Sequence, residues 1–172
     1  MKNRLPHIIL FMVGLVVCSG FLKAESARSV ETTAKATILE ILQLVKVQDM
    51  SFGRMVNGAT GVVELKPSGE RLATGVTAIG ESGWRPARFE VRGTANYEYY
   101  IGLPTDITLE KDGNQIVIED LVARPSSASE NALKGIITAD AYFTVGGKLI
   151  LASPDLPPGE YRANFEVSVG YN

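Results

Sequence analysis

From Val62 onward the chain is built of short stretches in which apolar and polar residues alternate. "ARFEV" sets Phe89 and Val91 on one face, and "YEYYIGL" does the same for Tyr97, Tyr99, Ile101 and Leu103. "YFTVGGKLIL" aligns Phe143, Val145, Leu149 and Leu151. A period of two places successive side chains on opposite faces of a pleated backbone, so each stretch predicts a strand with one buried face. "VVEL" (Val62–Leu65) is another, and Ile107–Leu109 and Ile116–Ile118 flank the turn sequence "KDGN" as a hairpin. Turn signals punctuate the rest, among them Asn57-Gly58, Pro67–Glu70, Arg92-Gly93, Leu103–Asp106, Gly146-Gly147 and Pro154–Glu160. Short strands with turns about every 8–15 residues predict an all-β sandwich.

Two stretches read less plainly. In "AKATILEILQLVKV", Ala34, Ile38, Ile41, Leu42 and Val45 fit a helical stripe, while Ala34, Ala36, Ile38, Leu42 and Leu44 fit alternation. Strand and helix both remain open for residues 34–47. "SSASEN" has Ser127 and Glu130 at the spacing of a helix cap, but so polar a stretch reads as a loop.

The most regular alternation is the last. In "GEYRANFEVSVGYN" (Gly159–Asn172), Tyr161, Ala163, Phe165, Val167, Val169 and Tyr171 share one face, and Arg162, Asn164, Glu166 and Ser168 the other. A strand of this kind takes a neighbour on each side, and no further strand follows to supply one.

Residues 1–24 are read as a signal peptide. Lys2 and Arg4 precede the uncharged run Ile8–Leu22, which suits an export signal and is short for a membrane span of about 20 residues. Cleavage fits after Ala24 or after Ser26. Cys18 follows Val17 where a lipoprotein box takes a small residue, which argues against lipidation. Export leads through the periplasm to the cell surface or the medium. What remains is of a size for one domain, with 14 basic and 19 acidic residues. A mildly acidic chain without a basic cluster argues against nucleic acid as a partner.

Cys18 and His7 are the only cysteine and histidine, and both lie in the signal segment. The exported chain therefore has no thiol, disulfide or imidazole. That excludes Ser-His and Cys-His nucleophilic sites and metal sites built on those ligands. Carboxylates are the main chemistry left. Glu119 and Asp120 are adjacent and would face opposite sides of a strand. Asp106, Glu110 and Asp112 surround a turn without the spacing of a calcium loop. Asp140 and Asp155 read as turn residues. Gly147–Leu149 lacks the spacing of a phosphate loop. Trp84 reads either as a sugar-stacking aromatic or as a large residue capping one end of the fold. No catalytic constellation and no cofactor site emerges, so the chain is not expected to be an enzyme.

"DMSFG" (Asp49–Gly53), "RFEVRG" (Arg88–Gly93), "YIGLP" (Tyr100–Pro104), "YFTVGGKL" (Tyr142–Leu149) and the final fourteen residues follow one another in that order. Together they resemble a bacterial pilin-like domain family of unknown function, related to the fimbrial subunits of the chaperone–usher route. The resemblance covers roughly Ala34 to Asn172. Its most specific part is the final segment, with Tyr171 penultimate and Gly159 fourteenth counting Asn172 as first.

The resemblance implies an immunoglobulin-like, pilin-type β-sandwich over residues 38–172 that lacks one strand and is completed by a donor strand. The interface for the next subunit or the chaperone would be Gly159, Tyr161, Ala163, Phe165, Val167, Val169 and Tyr171. Residues 25–37 would be an N-terminal extension whose Val30, Thr32, Ala34 and Ala36 form the donor, although these are smaller than donor residues usually are. The implied function is a structural or adhesive subunit of a surface fibre, in a homopolymer or with related subunits. A periplasmic chaperone and an outer-membrane usher would assist it, and a host or surface receptor would be a partner of an adhesive form. The alternative is a self-contained secreted sandwich that binds carbohydrate or protein through its loops.

Overall fold

The computed structural model describes residues 30–172, so the signal segment and residues 25–29 of the extension lie outside the described residues. Residues 30–36 form no regular element, and Val30, Thr32, Ala34 and Ala36 are exposed. The body of the fold is Thr37–Asn172.

It holds twelve strands and, among the described residues, no helix. In chain order these are β1 (Gln43–Gln48), β2 (Ser51–Met55), β3 (Gly61–Leu65), β4 (Arg71–Thr74), β5 (Ala78–Arg85) and β6 (Ala87–Arg92). Then come β7 (Glu98–Gly102), β8 (Ile107–Lys111), β9 (Asn114–Pro125), β10 (Lys134–Ile136), β11 (Tyr142–Leu151) and β12 (Ser168–Tyr171). Every pairing between them is antiparallel. The protein is all-β, as the alternation predicts.

The largest sheet is built around β11. One of its edges pairs with β9, and the other pairs first with β6 and then with β3. The change of partner falls at Gly146-Gly147, where the backbones crowd. A Cβ at Gly146 would strike the Leu65 carbonyl oxygen, and one at Gly147 would press on the Ile118 side chain. β1 extends this sheet beyond β6, β4 beyond β3, and β8 beyond β9. The expected hairpin is present, with Ile107 opposite Ile118 and Leu109 opposite Ile116. Two smaller sheets accompany the large one, β10-β7-β12 and β2-β5.

The core has two clusters. Phe89, Val91, Tyr99, Ile101, Phe143 and Val145 anchor the first, where the Phe89 and Phe143 rings stack 5.2 Å apart. Phe52, Val63, Leu65, Ile107, Ile116, Ile118, Leu149 and Leu151 form the second. Strand β9 serves both by changing its inward parity. Ile116 and Ile118 are buried before Asp120, and Ala123 and Pro125 after it. Asp120 has φ 49° and lies at a register irregularity with β11, so an extra residue turns the strand over. This bulge also leaves both Glu119 and Asp120 exposed, where a regular strand would send them to opposite faces.

Two ambiguities resolve. Within residues 34–47, the strand alternative holds from Gln43 onward and the helical one nowhere. Leu42 and Leu44 pack against the first cluster, while Ile38 and Ile41 stay 94% and 80% exposed before the strand starts. The "SSASEN" stretch is a turn and loop. The last alternating segment departs from expectation, because of its residues only Ser168–Tyr171 form a strand.

Candidate functional site

Strand β12 pairs with β7 on one side only, with Ser168 opposite Gly102 and Tyr171 opposite Tyr99. Further back, Arg162 makes an isolated antiparallel bridge to Glu110 on β8. Both pairings have the same sense, so residues 162–171 run beside the chain from Glu110 back to Tyr99. Between them the ladder fails. Opposite the gap lies Leu103–Asp106, where the neighbour leaves one sheet for another and Pro104 offers no N–H. Ala163–Val167 consequently make no backbone hydrogen bond among the described residues.

The side-chain alternation nevertheless persists without a break. Tyr161, Ala163, Phe165, Val167, Val169 and Tyr171 are half-buried, and Arg162, Asn164, Glu166 and Ser168 are exposed. Tyr161 and Ala163 pack against the second cluster, Val167, Val169 and Tyr171 against the first, and Phe165 against both. The face is thus applied to the core without being covered.

Across from it runs the other wall, β1 followed by β2. Among the described residues β1 pairs only with β6, and β2 only with β5, so each has an edge without a partner there. The two walls run in opposite directions and are tied at both ends. At one end the Gly58 N–H donates to the Pro154 carbonyl at 3.0 Å. At the other, the Tyr171 hydroxyl donates to the Glu40 carbonyl at 2.8 Å and accepts from the Thr94 N–H at 2.9 Å. Its ring meets Tyr97 edge-on at 6.2 Å. Gly93 makes room, since a Cβ there would press on the same hydroxyl.

Between these ties the walls part and leave an open groove. Its wider section holds about 1110 Å³ between β2 and residues 156–165, over a floor of Ile107, Ile116, Ile118, Leu149 and Leu151. A narrower section of about 590 Å³ continues past Phe165, between Leu44, Phe89 and Val167. Phe165 lines both sections. The rim carries ion pairs, Lys46 with Asp49 at 2.8 Å and Arg162 with Glu160 at 2.7 Å. The Lys46 ammonium holds the Asp49 carboxyl below its usual range, and the Arg162 guanidinium does the same for Glu160. Both pairs face solvent, where such contacts contribute little. What the groove offers is apolar surface between two unpaired backbone edges, the chemistry that accepts an extended peptide.

Of the residues singled out in the sequence, six line this face or its end, and the seventh, Gly159, starts it. Gly159 has φ +142°, a backbone conformation that calls for glycine, while the Lys111 side-chain end that a Cβ would meet is free to move aside. The sequence did not reveal the opposite wall. Met50 and Phe52 point to the core from it, and their alternation in "DMSFG" was the available signal. The partners of Tyr171 had no signal at all, because Glu40 lies 131 residues away.

Other candidates make contacts within the fold. The Trp84 indole N–H donates to the Gly69 carbonyl at 3.1 Å, and the Arg71 guanidinium covers its ring at 3.9 Å. Arg71 also donates to the Phe52 carbonyl, close beside Gly53 at the bulge of β2. Asp112 pairs with Lys111 at the hairpin tip, and Glu110 accepts from Gln115. Among the described residues no group of three or more His, Cys, Asp or Glu could hold a metal ion.

The family model that matches the chain is that of a domain of unknown function, DUF4402, over residues 42–171. No curated protein and no solved structure matches it.

Proposed function

The chain belongs to the DUF4402 family, and we propose that it is a strand-accepting subunit of a surface fibre, structural or adhesive, completed by an extended segment of another chain laid in the groove. In this reading the fold is an immunoglobulin-like sandwich lacking one strand. One observation carries the proposal: Ala163–Val167 keep a half-buried apolar face while their backbone groups have no partner among the described residues. Isolated edges of this kind are commonly blunted with charge or covered. Here the edge borders an open groove instead.

An inserted strand would join the unpaired edge and bury about five side chains at roughly 1.5–3 kcal/mol each, before the costs of ordering. That suffices to hold an exported assembly together in a chain whose only cysteine is Cys18. A periplasmic chaperone would fill the groove during export, an outer-membrane usher would mediate the exchange, and other subunits would be the final partners. The export signal read in residues 1–24 agrees with this route.

Phe165→Asp and Val167→Asp test the reading, since each puts a charge on the groove face. Both variants should be exported at reduced level and should fail to enter surface polymers, as followed by electron microscopy and immunoblotting of sheared surface material. Normal polymers from both variants would show that this face does not join subunits.

A further inference from the structure

The groove and the chain's own N-terminal extension differ in bulk. From Glu25 to Thr37 the extension reads "ESARSVETTAKAT", in which Val30 is the only large aliphatic residue and Thr32, Ala34 and Ala36 share its parity. The wide section of the groove offers about 1110 Å³ over Ile107, Ile118, Leu149 and Leu151. A strand presenting methyl-sized side chains there would meet the edges and leave most of that volume unfilled. The narrow section, at about 590 Å³ between Leu44, Phe89 and Val167, also exceeds what alanine fills.

We infer that the strand completing this groove comes from a different protein and carries bulky aliphatic or aromatic side chains at three or more alternate positions, rather than from the extension of a second copy. This inference rests on the strand-accepting reading of the groove. The chain then accepts a strand without passing one to its own kind. It ends or caps an assembly, or alternates with a different subunit, and does not polymerise by itself. The largest side chains of the incoming strand would sit in the larger section, lined by Phe52 and Tyr161 among others.

Two synthetic peptides separate the possibilities. One has the sequence of residues 25–37, and the other is identical except for Thr32→Ile, Ala34→Leu and Ala36→Phe. Each is added to the exported chain, and the melting temperature is followed by circular dichroism. The bulky peptide should raise it by about 5–10 °C at a hundredfold excess over its dissociation constant, and the native one should leave it unchanged. Equal stabilisation by both would overturn the inference while leaving the strand-accepting reading intact. Stabilisation by neither would overturn that reading, and the inference with it. Spontaneous homopolymers joined through residues 25–37 would also overturn the inference.

Discussion

Strand β11 and the segment Gly159–Tyr171 carry almost the same pattern, and the fold treats them differently. In β11, Phe143, Val145, Leu149 and Leu151 alternate inward and are nearly or wholly buried, because β9 covers one edge and β6 and β3 the other. In the final segment, Phe165 and Val167 alternate just as regularly, yet they stay half-buried, and their backbone is unpaired among the described residues. A period of two reports which face of a strand turns inward. It does not report how many neighbours the strand finds, and the difference between the two segments is one missing neighbour.

The largest expected effect breaks the comparison directly. Phe143→Ala should cost about 3–5 kcal/mol, because the removed ring stacks on Phe89 in a closed core. Phe165→Ala should cost only about 1–2 kcal/mol in the free chain, the half-buried share of the transfer term. Urea denaturation of both variants measures the gap. With a strand bound in the groove the gap should shrink, since Phe165 then becomes a core residue. Equal costs in the free chain would mean that the groove face is already closed.

A second effect belongs to the closed region alone. The Tyr99 hydroxyl is fully buried and has no hydrogen-bond partner among the described residues, and burial pushes its pKa up to about 12. An unfolded tyrosine ionises near 10, so between these values the unfolded chain gives up a proton that the native one keeps. Stability is therefore intact below pH 10 and should fall as pH rises toward 12, by about 2–3 kcal/mol in all. Tyr99→Phe should remove that part of the alkaline loss. At neutral pH it should be neutral or stabilising by up to about 1 kcal/mol, because the orphaned hydroxyl goes with it. Denaturation series at pH 7 and 11 check both points.

The smallest effect concerns how the open region is anchored. Tyr171→Phe removes one hydroxyl that bridges Glu40 and Thr94 and should cost about 1–2 kcal/mol. It should also loosen the end of the groove, raising amide exchange at Thr94 with little change along β11. Uniform loss of protection would show instead that Tyr171 belongs to the closed core.

Much of this architecture was legible in the residues. The inward sets of β6, β7 and β11 and the β8–β9 hairpin follow from alternation and a turn sequence, because both signals are local. The bulge at Asp120 was not legible, since it answers to β11, a strand distant in sequence. Nor was the position of the second wall. Ile38 and Ile41 had suggested a buried face ahead of β1, yet they are exposed, and no described core cluster takes them in. The face of the candidate site could be read off, from Tyr161 to Tyr171. The break in its pairing could not, because it depends on Pro104 lying opposite, a relation that only the folded register creates.

The most direct test is amide hydrogen exchange at Ala163–Val167 in the free chain without residues 1–24 and with a bulky strand bound. In the free chain these amides should exchange orders of magnitude faster than those of β11, despite their half-buried side chains. Once the strand is bound, protection should appear on this segment. Protected amides in the free monomer, or no gain on binding, would contradict the claim that this edge is left open for another chain.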